Sequence, residues 1–125
     1  MTQLLFVGMG GFLGSVTRFL LAGLVQGATA GTFPFGTLVV NVTGCIAIGA
    51  LSELVDTRPF LTADARAFLA IGLLGGFTTF SAFSLEMVLL IERGQYLFAL
   101  LYAVLSIALG ITGLMVGLGV MRMAG

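Results

Sequence analysis

Apolar residues run through this chain in four long stretches, about Leu4 to Val25, Phe35 to Val55, Ala67 to Ile91 and Gln95 to Met121. Three short polar connections separate them. Each stretch is long enough to cross a hydrocarbon core of roughly 30 Å, which takes about 17 to 25 helical residues. The pattern predicts four transmembrane helices that use nearly all of residues 1–125, an all-α membrane protein with a single domain. The third stretch departs from the others between Gly72 and Glu86, where glycine, threonine and serine crowd the places a plain membrane helix fills with leucine. Gly75 and Gly76 weaken helix continuity, and Thr78, Thr79 and Ser81 offer hydroxyls to backbone groups that a break sets free. A break in the third helix is therefore expected. At membrane depth it is tolerated only where it is buried in protein or lines a wet cavity, which makes this segment the candidate working part.

Composition narrows the class. Charged residues make up 8% of the chain and mean hydropathy is +1.21, against about a quarter charged in soluble domains. Net charge is zero and all five basic residues are arginine, so no basic stripe points to nucleic acid. Histidine is absent and Cys45 is the lone cysteine, which removes the usual zinc sites, catalytic triads and an intrachain disulfide. An enzyme is not expected. The first apolar stretch is too long, and its flanks too poor in positive charge, for a cleavable signal, so it reads as the first crossing.

Polar residues inside the crossings are the next candidates. Gly10 and Gly14 have the small-xxx-small spacing of closely packed helices. Arg18 lies within the first crossing, where a guanidinium costs at least about 2.5 kcal/mol at the centre and marks a pathway or partner; it also lies near enough the end to snorkel to the interface. Thr37 and Asn41 are four apart and share a helical face. The Asn41 amide can donate to an anion or clamp a neighbouring helix. Phe80 and Phe83 project from one face past the break, with Glu86 a turn further, and Tyr102 and Ser106 are likewise four apart. The charged connection with Glu53, Asp56, Arg58, Asp64 and Arg66 reads as a solvated loop with helix-start chemistry at Thr62 and Asp64.

Four crossings put both termini and the middle loop on one side. That side collects Arg58, Arg66 and Arg122, against Arg93 with Arg18 nearby on the other. So slight a bias instructs orientation weakly. Insertion both ways round would give an antiparallel homodimer with its twofold axis in the membrane plane. The donor set also has a preference. Amide and hydroxyl hydrogens, a guanidinium and the positive edges of aromatic rings, supplied by Asn41, Thr37, Thr79, Ser81, Arg18, Phe80 and Phe83, suit a small anion better than a metal cation, which favours clustered carboxylates.

Three runs carry a family likeness: Gly10-Gly11-x-x-Gly14-x-x-x-Arg18, Gly36-Thr37-Leu38-Val39-Val40-Asn41-x-x-Gly44, and Gly75-Gly76-Phe77-Thr78-Thr79-Phe80-Ser81-Ala82-Phe83. In this order they resemble the Fluc family of fluoride channels, also called CrcB proteins. The resemblance implies a dual-topology antiparallel homodimer, multi-pass in the bacterial inner membrane, with two antiparallel pores passing fluoride passively and rejecting chloride. It further implies that Phe80 and Phe83 are pore phenylalanines, that Asn41 lines the pore, and that Tyr102 and Ser106 begin a polar track. Arg18 matches an arginine near an aqueous vestibule, and Glu86 falls at an acidic position. The broken helix resembles a central sodium site, with carbonyls of Gly75 and Thr78 from both copies enclosing one structural Na⁺. Ala82 stands where the family commonly has threonine, and Gly110 replaces a hydroxyl residue one turn past Ser106. A proton-coupled small multidrug exporter is the alternative of similar size; it needs a carboxylate in the first crossing, where this chain has only Arg18. A scaffold subunit without transport leaves the broken polar helix unexplained.

Overall fold

The computed structural model describes residues 1–125, and every regular element in it is a helix. Helix α1 is Thr2–Ala28, 27 residues, and α2 is Phe35–Thr57, 23 residues. At 1.5 Å per residue they are about 40 and 35 Å long, enough to cross a bilayer with some tilt. The third crossing starts at Ala63, where the Thr62 hydroxyl accepts the Ala65 N–H at 3.1 Å and Asp64 sits in the first turn. From there the chain is α-helical over Ala63–Arg66, π-helical over Ala67–Leu74 and α-helical again over Gly75–Phe77, together called α3. Two extended residues, Thr78 and Thr79, interrupt it. The crossing resumes as α4, Phe80–Glu92, and the chain ends in α5, Tyr96–Ala124.

All four crossings are long and apolar enough to span a membrane. The break lies past the glycine pair that weakens the sequence, because Gly75 keeps helical angles of φ −62° and ψ −38° while Thr78 swings to ψ 156°. Gly76 is used for close approach instead. A Cβ there would sit 2.7 Å from the Gly11 carbonyl of α1.

Two tight seams build the bundle. In one, α1 lies against α3 so closely that a Cβ on Gly14 would collide with the Leu73 carbonyl. In the other, α2 lies against α5, and Gly117 faces the Ile46 carbonyl in the same way. Small residues permit this backbone approach, which replaces hydrophobic drive as the source of helix association in lipid. The ends are held by polar side chains. Gln26, near the end of α1, accepts the Gly36 N–H and donates to the Phe33 carbonyl, each at 3.0 Å, so it supplies an acceptor that the start of α2 otherwise lacks. Gly94, at φ +74°, closes α4 as a Schellman turn, with its N–H on the Ile91 carbonyl and the Gln95 N–H on that of Leu90. At the opposite ends of α2 and α5, Glu53 and Arg122 pair at 2.9 Å.

The buried core lies at the Gln26 end of the molecule, where Phe33 turns in from the α1–α2 connection to meet Leu38, Leu90, Ala99 and Tyr102. Its ring is 5.7 Å from that of Tyr102 and edge-on to it. Elsewhere the protomer turns large side chains outward, with Phe12, Phe19, Leu24 and Ile111 all exposed. Lipid or a second copy takes the place of water on such a surface.

Where α2 meets the break, Gly44 leaves room for the Thr78 methyl: a Cβ on Gly44 would collide with Thr78 Cγ2 and lie 3.4 Å from the Phe77 ring. Gly44→Ala should cost about 1–3 kcal/mol in overpacking, offset by the ~1 kcal/mol that alanine gains over glycine in a helix. Thermal unfolding in detergent should show a lowered midpoint, and Thr78→Ser, which removes only that methyl, should recover much of the loss. A midpoint equally low in the double variant would disprove the fit.

Candidate functional site

The break rewires the backbone around it. In an unbroken helix the Thr79 N–H would donate to the Gly75 carbonyl; here it donates to Asn41 Oδ1 at 2.8 Å, and Asn41 Nδ2 donates back to the Thr79 carbonyl at 3.0 Å. The Ala82 N–H, which would have reached the Thr78 carbonyl, is taken by the Thr79 hydroxyl at 3.1 Å as the N-cap of α4. The Gly76 carbonyl receives Arg18 Nε at 3.1 Å. Thr78 turns its own hydroxyl back to the Leu74 carbonyl at 3.0 Å. Side chains from α1 and α2 thus supply partners that the helix gives up, as a break at membrane depth demands. The carbonyls of Gly75 and Thr78 each lose their regular helical donor.

Two cavities open next to Thr79. The first, of about 510 Å³, has polar residues in its lining: Arg18 and Arg93 bring positive charge, Glu86 negative, and Gln26, Thr32, Thr37 and Thr79 neutral groups. The second, of about 540 Å³, is lined by Asn41, Cys45, Gly75, Thr78, Thr79, Phe80, Phe83 and Ser106. Thr79 is the residue common to both. Asn41, its hydrogen-bond partner, lines the second alone.

The candidate residues fall into separate groups. Thr37 and Asn41 share a face of α2, but one turn of about 5.4 Å carries them to different cavities, Thr37 to the first and Asn41 to the second. Phe80 and Phe83 keep the proximity their spacing implies, with ring centroids 5.6 Å apart, and Phe83 lies 4.9 Å from Tyr102. Phe80 is 78% exposed in the lone protomer. Ser106 lines the second cavity, whereas Tyr102 is buried beside it, its hydroxyl 3.3 Å from Glu86 Oε1. Ser81 lines neither cavity; it is exposed, with its hydroxyl 3.3 Å from that of Thr79. Glu86 therefore joins the first cavity to the end of the aromatic row.

Gln26, Thr32 and Arg93 belong to the polar cavity without having stood out in the sequence. Thr32 Oγ1 reaches Gln95 Oε1 at 2.7 Å, tying the α1–α2 connection to the α4–α5 turn. Only the fold brings these connections together, and no local motif announces it. For a cation, the available donors are oxygens of the backbone, since no three Cys, Asp or Glu side chains converge. The carbonyls of Gly75 and Thr78, residues that line the second cavity, are without their helical donors and are hard oxygens of the kind that suits a small alkali cation.

A family model described as CrcB-like protein, Camphor Resistance (CrcB), matches residues 5–118. A protein of Rhodospirillum rubrum named fluoride-specific ion channel FluC is 46% identical over 115 residues, covering 90% of this chain and 89% of the relative. A protein of the same name from Nitratidesulfovibrio vulgaris is 45% identical over 123 residues, 98% of this chain and 99% of the relative. One from Rhizobium meliloti, again so named, is 44% identical over 122 residues, with 98% of each covered.

Arg18→Ala removes the side chain that answers the Gly76 carbonyl. An unanswered buried acceptor costs about 1–3 kcal/mol, so thermal unfolding in detergent should show a lower midpoint than that of a substitution on the lipid face such as Phe12→Ala. Equal midpoints would mean that the Arg18 contact contributes nothing to holding the break.

Proposed function

This chain belongs to the CrcB family, and we propose on that footing that it is a fluoride-selective channel giving cytoplasmic fluoride a passive way out. Fluoride is the cargo, and no bond is made or broken in its passage. The reading is supported above all by one observation: Asn41, Phe80, Phe83 and Ser106 line a single cavity at a helix break. That lining offers an amide, a hydroxyl and aromatic rings whose edges are positive and whose faces are negative. A small anion shedding its water needs such donors, and fixed dipoles in a dry site supply them. The polar cavity, with Arg18 and Arg93 against Glu86 alone, draws anions towards this entrance. Thr37 and Thr79 supply hydroxyls there, Ser81 lies beside Thr79, and Tyr102 holds Glu86 in place.

Two copies of opposite orientation form the working unit in this proposal, a homodimer in the bacterial inner membrane with two antiparallel pores. Phe80, so exposed in one protomer, finds its cover against the other. One Na⁺ on the twofold axis, held by the Gly75 and Thr78 carbonyls of both copies, supplies the charge that joins the two breaks. The ion is a structural bridge, and the residues fit that role because their carbonyls have been released from the helix.

Transport needs no pump. Hydrogen fluoride crosses bilayers in acidic surroundings and ionises in a near-neutral cytoplasm, where the anion is trapped. A membrane potential worth about 2.3 kcal/mol per charge per 100 mV expels an anion when the interior is negative. The proton-coupled exporter is not favoured, since the first crossing carries Arg18 in place of a carboxylate.

Reconstituted in liposomes, the protein should release fluoride far faster than chloride; equal release of both would refute the channel reading. Phe80→Ile and Phe83→Ile should each slow fluoride efflux at least about tenfold, or about 1.4 kcal/mol of barrier, with the dimer intact on size exclusion. Full-speed efflux from both variants would remove the phenylalanines from the pathway. In cells, a single engineered cysteine at Gly125 should react with an impermeant reagent from both faces of the membrane. Labelling from one face alone would rule out dual topology. Withdrawal of Na⁺ should weaken the dimer, and indifference to Na⁺ would dismiss the bridging ion.

A further inference from the structure

Asn41 does more in this structure than present an amide to a cavity. Its oxygen and one amide hydrogen are committed to the backbone of Thr79, at 2.8 and 3.0 Å, in a two-point pair of the kind one strand makes with another. The pair has a consequence four residues upstream. The Thr79 N–H has two rival acceptors, Asn41 Oδ1 and the Gly75 carbonyl, and the one it takes decides whether the helix is open or closed at this point. While Asn41 holds it, the Gly75 carbonyl is left at the cavity wall without its helical donor. Were Asn41 absent, the cheapest partner for Thr79 in hydrocarbon would be Gly75, and the helix would tend to heal.

We propose that Asn41 is a positioning residue for the cation site: by capturing the Thr79 N–H it keeps the Gly75 carbonyl free to bind Na⁺, so that one side chain sets cation affinity and lines the anion cavity. This rests on the sodium reading above. The second amide hydrogen of Asn41 is not spent on Thr79 and stays available at the cavity. Pathway and bridge are then not independent. A substitution made to alter the pore at Asn41 also alters the bridge, whereas one at Tyr102, which contributes nothing to the break, does not.

The test separates cation binding from mere stability. Dimer dissociation is followed by fluorescence transfer between labelled protomers across a Na⁺ series, with ionic strength held constant by an organic cation. Linkage gives two quantities from one curve: the dimer affinity without Na⁺, and the Na⁺ dissociation constant from the concentration at which affinity begins to climb. Asn41→Ala should raise that constant at least about tenfold, the effect of losing about one hydrogen bond's preference, while Tyr102→Phe leaves it unchanged. A purely structural role for Asn41 would lower the Na⁺-free affinity and leave the constant within about twofold, and that result overturns the proposal. Should Asn41→Ala fail to assemble at any Na⁺ concentration, Asn41→Asp decides. It keeps an acceptor for the Thr79 N–H, so its constant should stay within about threefold of the unsubstituted protein or tighten, and a tenfold weakening overturns the idea. Absence of any Na⁺ dependence in the unsubstituted protein is a different result: it removes the bridging ion itself and this proposal with it.

Discussion

Every backbone N–H and C=O in hydrocarbon needs a partner within the protein, and that one constraint shapes this molecule more than any other. A continuous helix meets it without help. A helix interrupted at Thr78 and Thr79 does not, and the groups it releases must be answered from outside. Arg18 of α1 answers one carbonyl, Asn41 of α2 answers both backbone groups of Thr79, and the Thr79 hydroxyl caps the helix that follows. The polar residues that look out of place in an apolar sequence are largely the ones needed to make a break tolerable. Their energetic worth comes from the cost of the alternative, an unpaired group where no water can reach it.

The same constraint explains why the glycines are where they are. Side chains as short as asparagine reach a neighbouring backbone only if the helices nearly touch. Close approach of α1 to α3 at Gly14, and the gap at Gly44 that admits the Thr78 methyl, bring the break within reach of its helpers. Packing and polar satisfaction are therefore one device in two parts.

The two cavities that share Thr79 differ in the charge of their lining. Arg18, Arg93 and Glu86 line the first, together with Phe19, whereas Phe80 and Phe83 line the second, which has no charged residue. Phe80 is left exposed on the lone protomer, beside a break whose Gly75 carbonyl has lost its helical donor.

Much of this architecture was legible in the chain itself. The four crossings, the disruption of the third and the helix start at Thr62 follow from local quantities: run length, hydropathy, and which residues favour a cap or a continuous helix. Arg18 and Asn41 were conspicuous because polar groups are expensive at that depth, but each was open to two readings, and the fold has both of them grip the broken helix. What the tertiary structure alone decided is the exact seat of the break, at two threonines beyond the glycine pair, and the division of Thr37 from Asn41 between two cavities. The seat of the break depends on hydrogen bonds between residues 38 or more positions apart, and the division on which neighbours the fold sets against successive turns of α2. Local propensity can say that a helix is weak; where it opens is settled by the partner that reaches it first.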